Sequence, residues 1–244
     1  MNEIVRVYSM PDADLMMFAS NLVQTMTRDS AEFADYAVDA AAISAFAALG
    51  NQFEEFPPDT FYSADVSIAV EDKDAIRETL INETRKITNR ALVKWGEDSA
   101  RYAKFGVKGI SKMTDKELLA TTRLVALTAE NLLSQLITEG LTQDMIDDYA
   151  LLSQSFESKL NALANAIEIR DTKKTERIIL GNKLYSFVAK YCTLGKTIWE
   201  KVNESKFNDY IIYEKSPGGL SAPKNFRFFR GSRVFAWDLV PNAT

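Results

Sequence analysis

From Thr142 onward, Met145, Tyr149, Leu152, Phe156, Leu160, Leu163 and Ile167 recur at steps of 4, 3, 4, 4, 3 and 4 residues. A stripe of this kind runs along one face of a helix, so it calls for partner helices rather than a sheet. Leu180, Leu184, Val188, Tyr191, Ile198 and Val202 continue the spacing past Asp171-Thr172, where a break or bend is expected. Upstream, Thr114-Asp115-Lys116-Glu117 spells a capping box. The helix it opens carries Leu118, Val125, Ala129, Leu132, Leu133 and Leu136, and Gly140 ends it. Helices over 114–138, 142–168 and 174–202 are therefore expected to lie antiparallel, their seams facing one another.

The N-terminal half reads the same way. Pro11 suits a first turn, Asp12 and Asp14 favour the positive helix end, and Leu15, Phe18, Ala19, Leu22 and Met26 give a stripe to about Thr27. A second helix runs from about Asp39 to Phe56 with Ala42, Ile43, Phe46, Leu49 and Phe53 inward, and Pro57-Pro58 stops it. A third extends from about Tyr62 to Trp95 through Val66, Val70, Ile76, Leu80, Ile87 and Ala91. Gly106-Val107-Lys108-Gly109 marks the next connection.

Two absences narrow the chemistry. The 244 residues contain no histidine, which closes Ser–His and Cys–His catalysis and every His-containing metal site. Cys192 is the sole cysteine, so it has no intrachain disulfide partner; a small apolar role on a buried helix face is expected for it. Met1-Asn2-Glu3-Ile4-Val5-Arg6 is followed by no uncharged apolar h-region, and no apolar run approaches the length of a membrane span. No cofactor, metal, signal peptide or transmembrane segment is expected, and the compartment stays open.

Several motifs have simple structural readings. Gly195-Lys196-Thr197 echoes the end of a phosphate loop, but Lys190 stands where the first glycine belongs and a helix replaces the preceding strand. Gly195 is expected to permit close packing instead. Glu54-Glu55 and Asp147-Asp148 are adjacent on helices, so neither pair converges on one point. Arg170, Lys173, Lys174 and Arg177 cluster where the helix break is expected and read as a solvated turn.

The tail is built differently. Ser216-Pro217-Gly218-Gly219 ends the helical pattern, and short β-like runs follow. Lys215, Lys224, Arg227, Arg230 and Arg233 appear between 215 and 237 with no acid among them, a charge of +5 on a chain of net −5. Phe226, Phe228, Phe229, Phe235 and Trp237 interleave with the arginines. Such a pattern can stack single-stranded nucleic acid, but an acidic chain with a pI near 5.0 argues against that partner. An acidic helical body ending in a basic, aromatic arm reads instead as a protein that attaches to another protein or to its own copies. The partner-binding candidates are Phe226, Arg227, Phe228, Arg230, Arg233, Phe235 and Trp237.

Two resemblances add to this reading. Ala222-Pro223-Lys224-Asn225-Phe226-Arg227-Phe228, the Gly231-Ser232 turn and Val234 to Thr244 resemble the opening strands of a fibronectin type III domain. Such a sandwich needs about seven strands and two are present, so the resemblance implies a piece of a longer protein or strands that complete a sheet elsewhere. The body, through Arg170 to Glu176, Leu184-Tyr185, Gly195-Lys196, Trp199 and Lys206-Phe207-Asn208-Asp209-Tyr210, resembles a loosely defined group of bacterial helical-bundle proteins of uncharacterised function. That resemblance implies a fold and an arrangement of modules, and no activity.

The expected architecture is all-α: an antiparallel bundle of five or six helices over 1–212, a linker over 213–221 and a β-structured arm over 222–244. The expected function is that of a non-enzymatic structural or adaptor subunit, a helical spacer whose arm serves self-assembly or partner docking. The alternative is a ligand- or carbohydrate-binding surface module cut within a fibronectin type III-like domain.

Overall fold

The computed structural model describes residues 4–212 and the backbone of 227–229 and 234–236. Residues 4–212 form a helical bundle protein. Its helices are α1 (Asp12–Arg28), α2 (Ser30–Ala34), α3 (Ala40–Glu55), α4 (Asp59–Trp95), α5 (Ala100–Ala103), α6 (Asp115–Leu136), α7 (Gln143–Trp199) and α8 (Glu204–Asn208). Short 3-10 turns occupy Ile110–Lys112 and Ile137–Glu139. The local start and stop signals act as their chemistry requires. Asp39 caps α3 by accepting from the Ala42 N–H, and Thr114 with Glu117 closes a complete capping box on α6. Gly140 turns the chain at φ 77°, a left-handed conformation that costs glycine little.

By their internal contacts the residues group into two compact units, Met1–Phe56 with Thr175–Thr244, and Pro57–Lys174. One expectation is corrected by α7, which is a single 57-residue helix. The break or bend expected at Asp171-Thr172 is therefore absent from the helix. Asp and Thr cost a helix only tenths of a kcal/mol each, ~0.7 at most, and neither breaks its hydrogen-bond ladder as proline would. Arg170 pairs with Asp171 at 2.8 Å within the same helical stretch. The basic cluster at 170–177 accordingly lies on a helix and not on a turn.

In the second unit the directions follow from side-chain pairs. Thr122 meets Ser153, Arg123 meets Glu157 and Glu130 meets Gln143, so α6 and the first part of α7 are antiparallel. Asp72 meets Lys159 and Thr84 meets Tyr149, which sets α4 antiparallel to α7 as well. Lys73 and Arg77 reach Asp115 while Lys94 reaches Glu139, so α4 and α6 run parallel. The core of this unit includes Leu80, Ile87, Phe105, Leu118, Val125, Leu136, Tyr149 and Phe156. Along α4, burial is confined to residues from Leu80 to Ala91, while Val70 is exposed and Val66 and Ile76 are half-buried. On α7, Tyr149 and Phe156 are buried, whereas Leu160 and Leu163 are half-buried and Ile167 is exposed.

The first unit repeats the three-helix plan with different partners. Arg177 meets Asp12 and Trp199 meets Asp29, so the last part of α7 runs parallel to α1. Arg177 lies over Phe53, and Tyr191 packs on Phe46, so the same stretch runs antiparallel to α3. Leu15, Leu22, Met26, Phe33, Phe46, Phe53, Leu184, Val188 and Tyr191 fill the core. Cys192 is fully buried among them, as its expected apolar role requires. Val202 is an exception to its stripe: α7 has ended at Trp199, and Val202 is 70 % exposed.

Candidate docking site at the root of the C-terminal arm

The arm is the site that the sequence singles out. Its described part is a pair of antiparallel strands, β1 (Arg227–Phe229) and β2 (Val234–Ala236), with Phe228 opposite Phe235 in the register. Of the partner-binding candidates, Arg227, Phe228 and Phe235 fall on these strands. Phe226, Arg230, Arg233 and Trp237 lie outside the described residues, as does the linker over 213–221.

Immediately before the arm, the chain is tied down by a charge that the sequence did not single out. Asp29 stands between α1 and α2, where its N–H closes the last turn of α1 onto Thr25 O and its carbonyl accepts from Phe33. Its side chain is completely buried and accepts five hydrogen bonds. Arg28 binds it with two prongs, Nε at 2.8 Å and Nη2 at 2.7 Å, and Lys206 Nζ binds at 2.9 Å. Trp199 Nε1 donates at 3.1 Å and the Tyr210 hydroxyl at 2.9 Å. Arg28 also reaches Asp209 at 2.8 Å, so two cations face two anions and the group as a whole is neutral.

Local structure explains why these groups meet. Trp199 is the last residue of α7, and Lys201 follows at φ 62°, a left-handed step that turns the chain back. Asn203 caps α8 by accepting from the Lys206 N–H at 3.1 Å, which sets Lys206 and Tyr210 over the end of α1. Lys206 Nζ sits 3.8 Å from the centre of the Trp199 ring, a cation–π contact inside the same cluster. Tyr210 is fully buried, packs at a tilt against Phe33 with ring centres 5.7 Å apart and lies on Gly195. A Cβ built at Gly195 would stand 2.2 Å from that ring, so this position admits glycine alone without rearrangement. The close packing expected at Gly195 is present, and its partner is a tyrosine ring. Lys196 and Thr197 belong to the same helix, with Thr197 hydrogen-bonded to Thr193 O.

The electrostatics follow from the donor count. Burial alone would raise the Asp29 pKa, but the hydrogen bonds from Arg28, Lys206 and Tyr210 outweigh it and hold the carboxyl well below the usual carboxylate range. The Tyr210 hydroxyl is pushed far up, first by burial and then by its hydrogen bond to Asp29. With its oxygens occupied by five donors, this carboxylate is poised to hold elements together rather than to accept a substrate proton.

A second carboxylate performs a similar task at the other end of the same unit. Asp12 accepts from Arg6 Nη2 at 2.5 Å, from the Tyr8 hydroxyl at 2.9 Å and from Arg177 Nε at 2.9 Å. Arg177 Nη1 also binds Phe56 O at 2.6 Å, just beyond the end of α3. Arg177, expected on a solvated turn, is thus an internal tie. Burial, with the hydrogen bond to Asp12, pushes the Tyr8 phenol up to about 12. Gly181 makes room for Tyr8, and the Asn182 amide clamps the extended Val5–Val7 backbone from both sides of its head group, giving to Val5 O and taking from Val7 N.

Among the described residues, no three His, Cys, Asp or Glu side chains are grouped to hold a metal ion, and no helix is long and apolar enough to cross a membrane. No family model, curated protein or solved structure matches this chain.

Proposed function

We propose that this chain is a non-enzymatic structural or adaptor subunit in which the helical body holds and presents the arm of residues 222–244 for docking. The observation that carries this reading is the sign reversal along the chain. The stretch 215–237 holds five cations and no acid, whereas residues 1–56 hold nine acids against Arg6 and Arg28. Charge of opposite sign on two surfaces steers their encounter and fixes their register. The Asp29 cluster supports the reading from the other side, because a docking arm transmits nothing unless its root is anchored. The three side chains that anchor it, Trp199, Lys206 and Tyr210, are among those that carry the resemblance to bacterial helical-bundle proteins.

The arm's chemistry is suited to protein rather than to a small molecule. A lone pair of strands is marginal in water, and its open edges accept further strands. The test is the solution mass of the full chain beside a version lacking 216–244, by light scattering at matched concentration. Removal of the arm should leave the helical circular dichroism intact and abolish assembly. An unchanged mass would sink the docking role, and gain of binding to a glycan array by the full chain alone would favour the surface-module reading that the fibronectin-like tail also supports.

A further inference from the structure

Helices α1 and α3 leave an open groove of 280 Å³ between them. Met16, Ala19 and Val23 line one side, Phe46, Ala47 and Gly50 the other, and Glu54 stands at the rim. The volume lies just under the range of small-molecule pockets, roughly 300–1,000 Å³, so the groove suits one or two inserted side chains better than a free ligand. Small residues set its floor: a Cβ built at Gly50 meets no atom within 4 Å. Methionine and phenylalanine walls favour aromatic guests, since a thioether adapts its shape and attracts ring edges.

We propose that this groove is the seat of the chain's own arm, with Phe226, Phe228, Phe235 or Trp237 inserted between α1 and α3 and the arm's arginines facing the acidic side chains of this segment. The inference rests on the arm reading above and deepens it, because it names the surface the arm leaves when it docks elsewhere. Two facts point to this occupant. The first is charge: the arm holds five cations, and the carboxylate of Glu54, outside the Asp12 and Asp29 clusters, lines the groove. The second is reach. Tyr210 is pinned to Asp29 at the end of α1, and Val23 lies roughly 9 Å back along that helix. The 15 residues from 211 to 225 can span about 50 Å, so the arm arrives with ease. A tethered segment that reaches its site meets it at an effective concentration on the order of millimolar, which favours the chain's own arm over a neighbour's in dilute solution. Assembly then proceeds by exchange, one copy's arm entering another copy's groove.

The test uses paired cysteines in the full chain. Cys192 remains silent because it is fully buried and its thiol is pushed up to about 12 by burial. Gly50→Cys with Phe235→Cys, and separately Ser20→Cys with Phe235→Cys, are oxidised in dilute solution beside a control pair, Thr193→Cys with Phe235→Cys. Thr193 is exposed on α7, away from the groove. The expected result is an intrachain disulfide in either groove pair, forming about tenfold faster than in the control and slowed by added salt. Predominantly interchain dimers, or rates equal to the control in both groove pairs, would overturn the proposal. Loss of assembly on removal of 216–244 together with control-level crosslinking would retire the groove and leave the docking arm standing.

Discussion

The two units are both three-helix arrangements that draw on α7, yet they are held by different chemistry. The unit of 57–174 joins its helices inside with neutral hydroxyl pairs, Thr84 to Tyr149 at 2.7 Å and Thr122 to Ser153 at 2.8 Å. Its ion pairs range from exposed, as Lys159–Asp72 and Arg123–Glu157, to part-buried, as Lys73 and Arg77 with Asp115. The unit that contains the arm's root places a fully buried carboxylate at a helix junction and surrounds it with five donors. A hydroxyl pair contributes about 1 kcal/mol and is nearly indifferent to pH and salt. A buried, charged cluster favours one arrangement strongly, because any partner left unpaired there is expensive. The charged cluster thus lies where the helical body gives way to the C-terminal segment, at Trp199, Lys206 and Tyr210.

The largest expected effect breaks that cluster. Asp29→Asn leaves Arg28 and Lys206 without their buried counter-charge and should cost roughly 3–5 kcal/mol. Denaturant unfolding followed by Trp199 fluorescence should show it, while the 57–174 unit, followed through Trp95, keeps its midpoint. Loss of both units together would mean that the shared helix couples them into one cooperative transition.

Core truncations come next in size. Leu184 and Phe156 are fully buried, one in each unit. Leu184→Ala should cost about 2–5 kcal/mol and Phe156→Ala about 3–5. Leu160, assigned to the core by its spacing, is half-buried, so Leu160→Ala should cost visibly less than Leu184→Ala in the same thermal melt. Equal costs for the two leucine variants would contradict the burial pattern along α7.

Acid separates the units in a milder way. An unfolded Asp titrates near pH 3.9, whereas folded Asp29 titrates well below that. A lowered folded pKa means that the cluster's contribution is complete above about pH 5 and is lost progressively as pH falls toward the folded value. The unit of Asp29 should therefore lose its near-ultraviolet circular dichroism first in a titration from pH 6 to pH 2. If the 57–174 unit yields first, the carboxylate is not what distinguishes them.

The smallest perturbations are single atoms. Gly195→Ala drives a methyl into the Tyr210 ring and should cost roughly 1–3 kcal/mol, whereas Gly50→Ala meets open space and should be neutral or slightly stabilising through helix propensity, within about 1 kcal/mol. Tyr149→Phe should cost about 1 kcal/mol by leaving the buried Thr84 hydroxyl with Leu80 O as its remaining partner. Thermal melts of the three variants rank them directly.

Much of this fold was legible because helix signals are local. The capping box at Thr114, the stop at Gly140 and the prolines at 57–58 act through atoms a few residues apart, so spacing reveals them without knowledge of the rest. What misled was equally physical. Asp171-Thr172 weakens a helix without forbidding it, and whether the rod continues depends on what each half packs against. The stripe of α7 likewise reads as uniformly inward from Met145 to Ile167, but exposure rises toward Ile167 where fewer neighbours cover it.

The anchoring site was not legible, because its parts lie far apart in the chain. Asp29 looks like one of many surface acids at a helix end, and its five donors come from positions 28, 199, 206 and 210. One trace existed in advance: Trp199, Lys206 and Tyr210 all belong to the stretch that resembles other helical-bundle proteins, though nothing in the sequence joined them to Asp29. The sequence by itself determined that the body is helical, where most helices start and stop, and that the chain's charge reverses in the tail, since each depends on local periodicity or on counting. The tertiary structure alone decided that α7 runs unbroken, that contacts gather into two units, and that a buried charge secures the arm's root, since long-range packing and desolvation set the balance of terms too small for local sequence to fix.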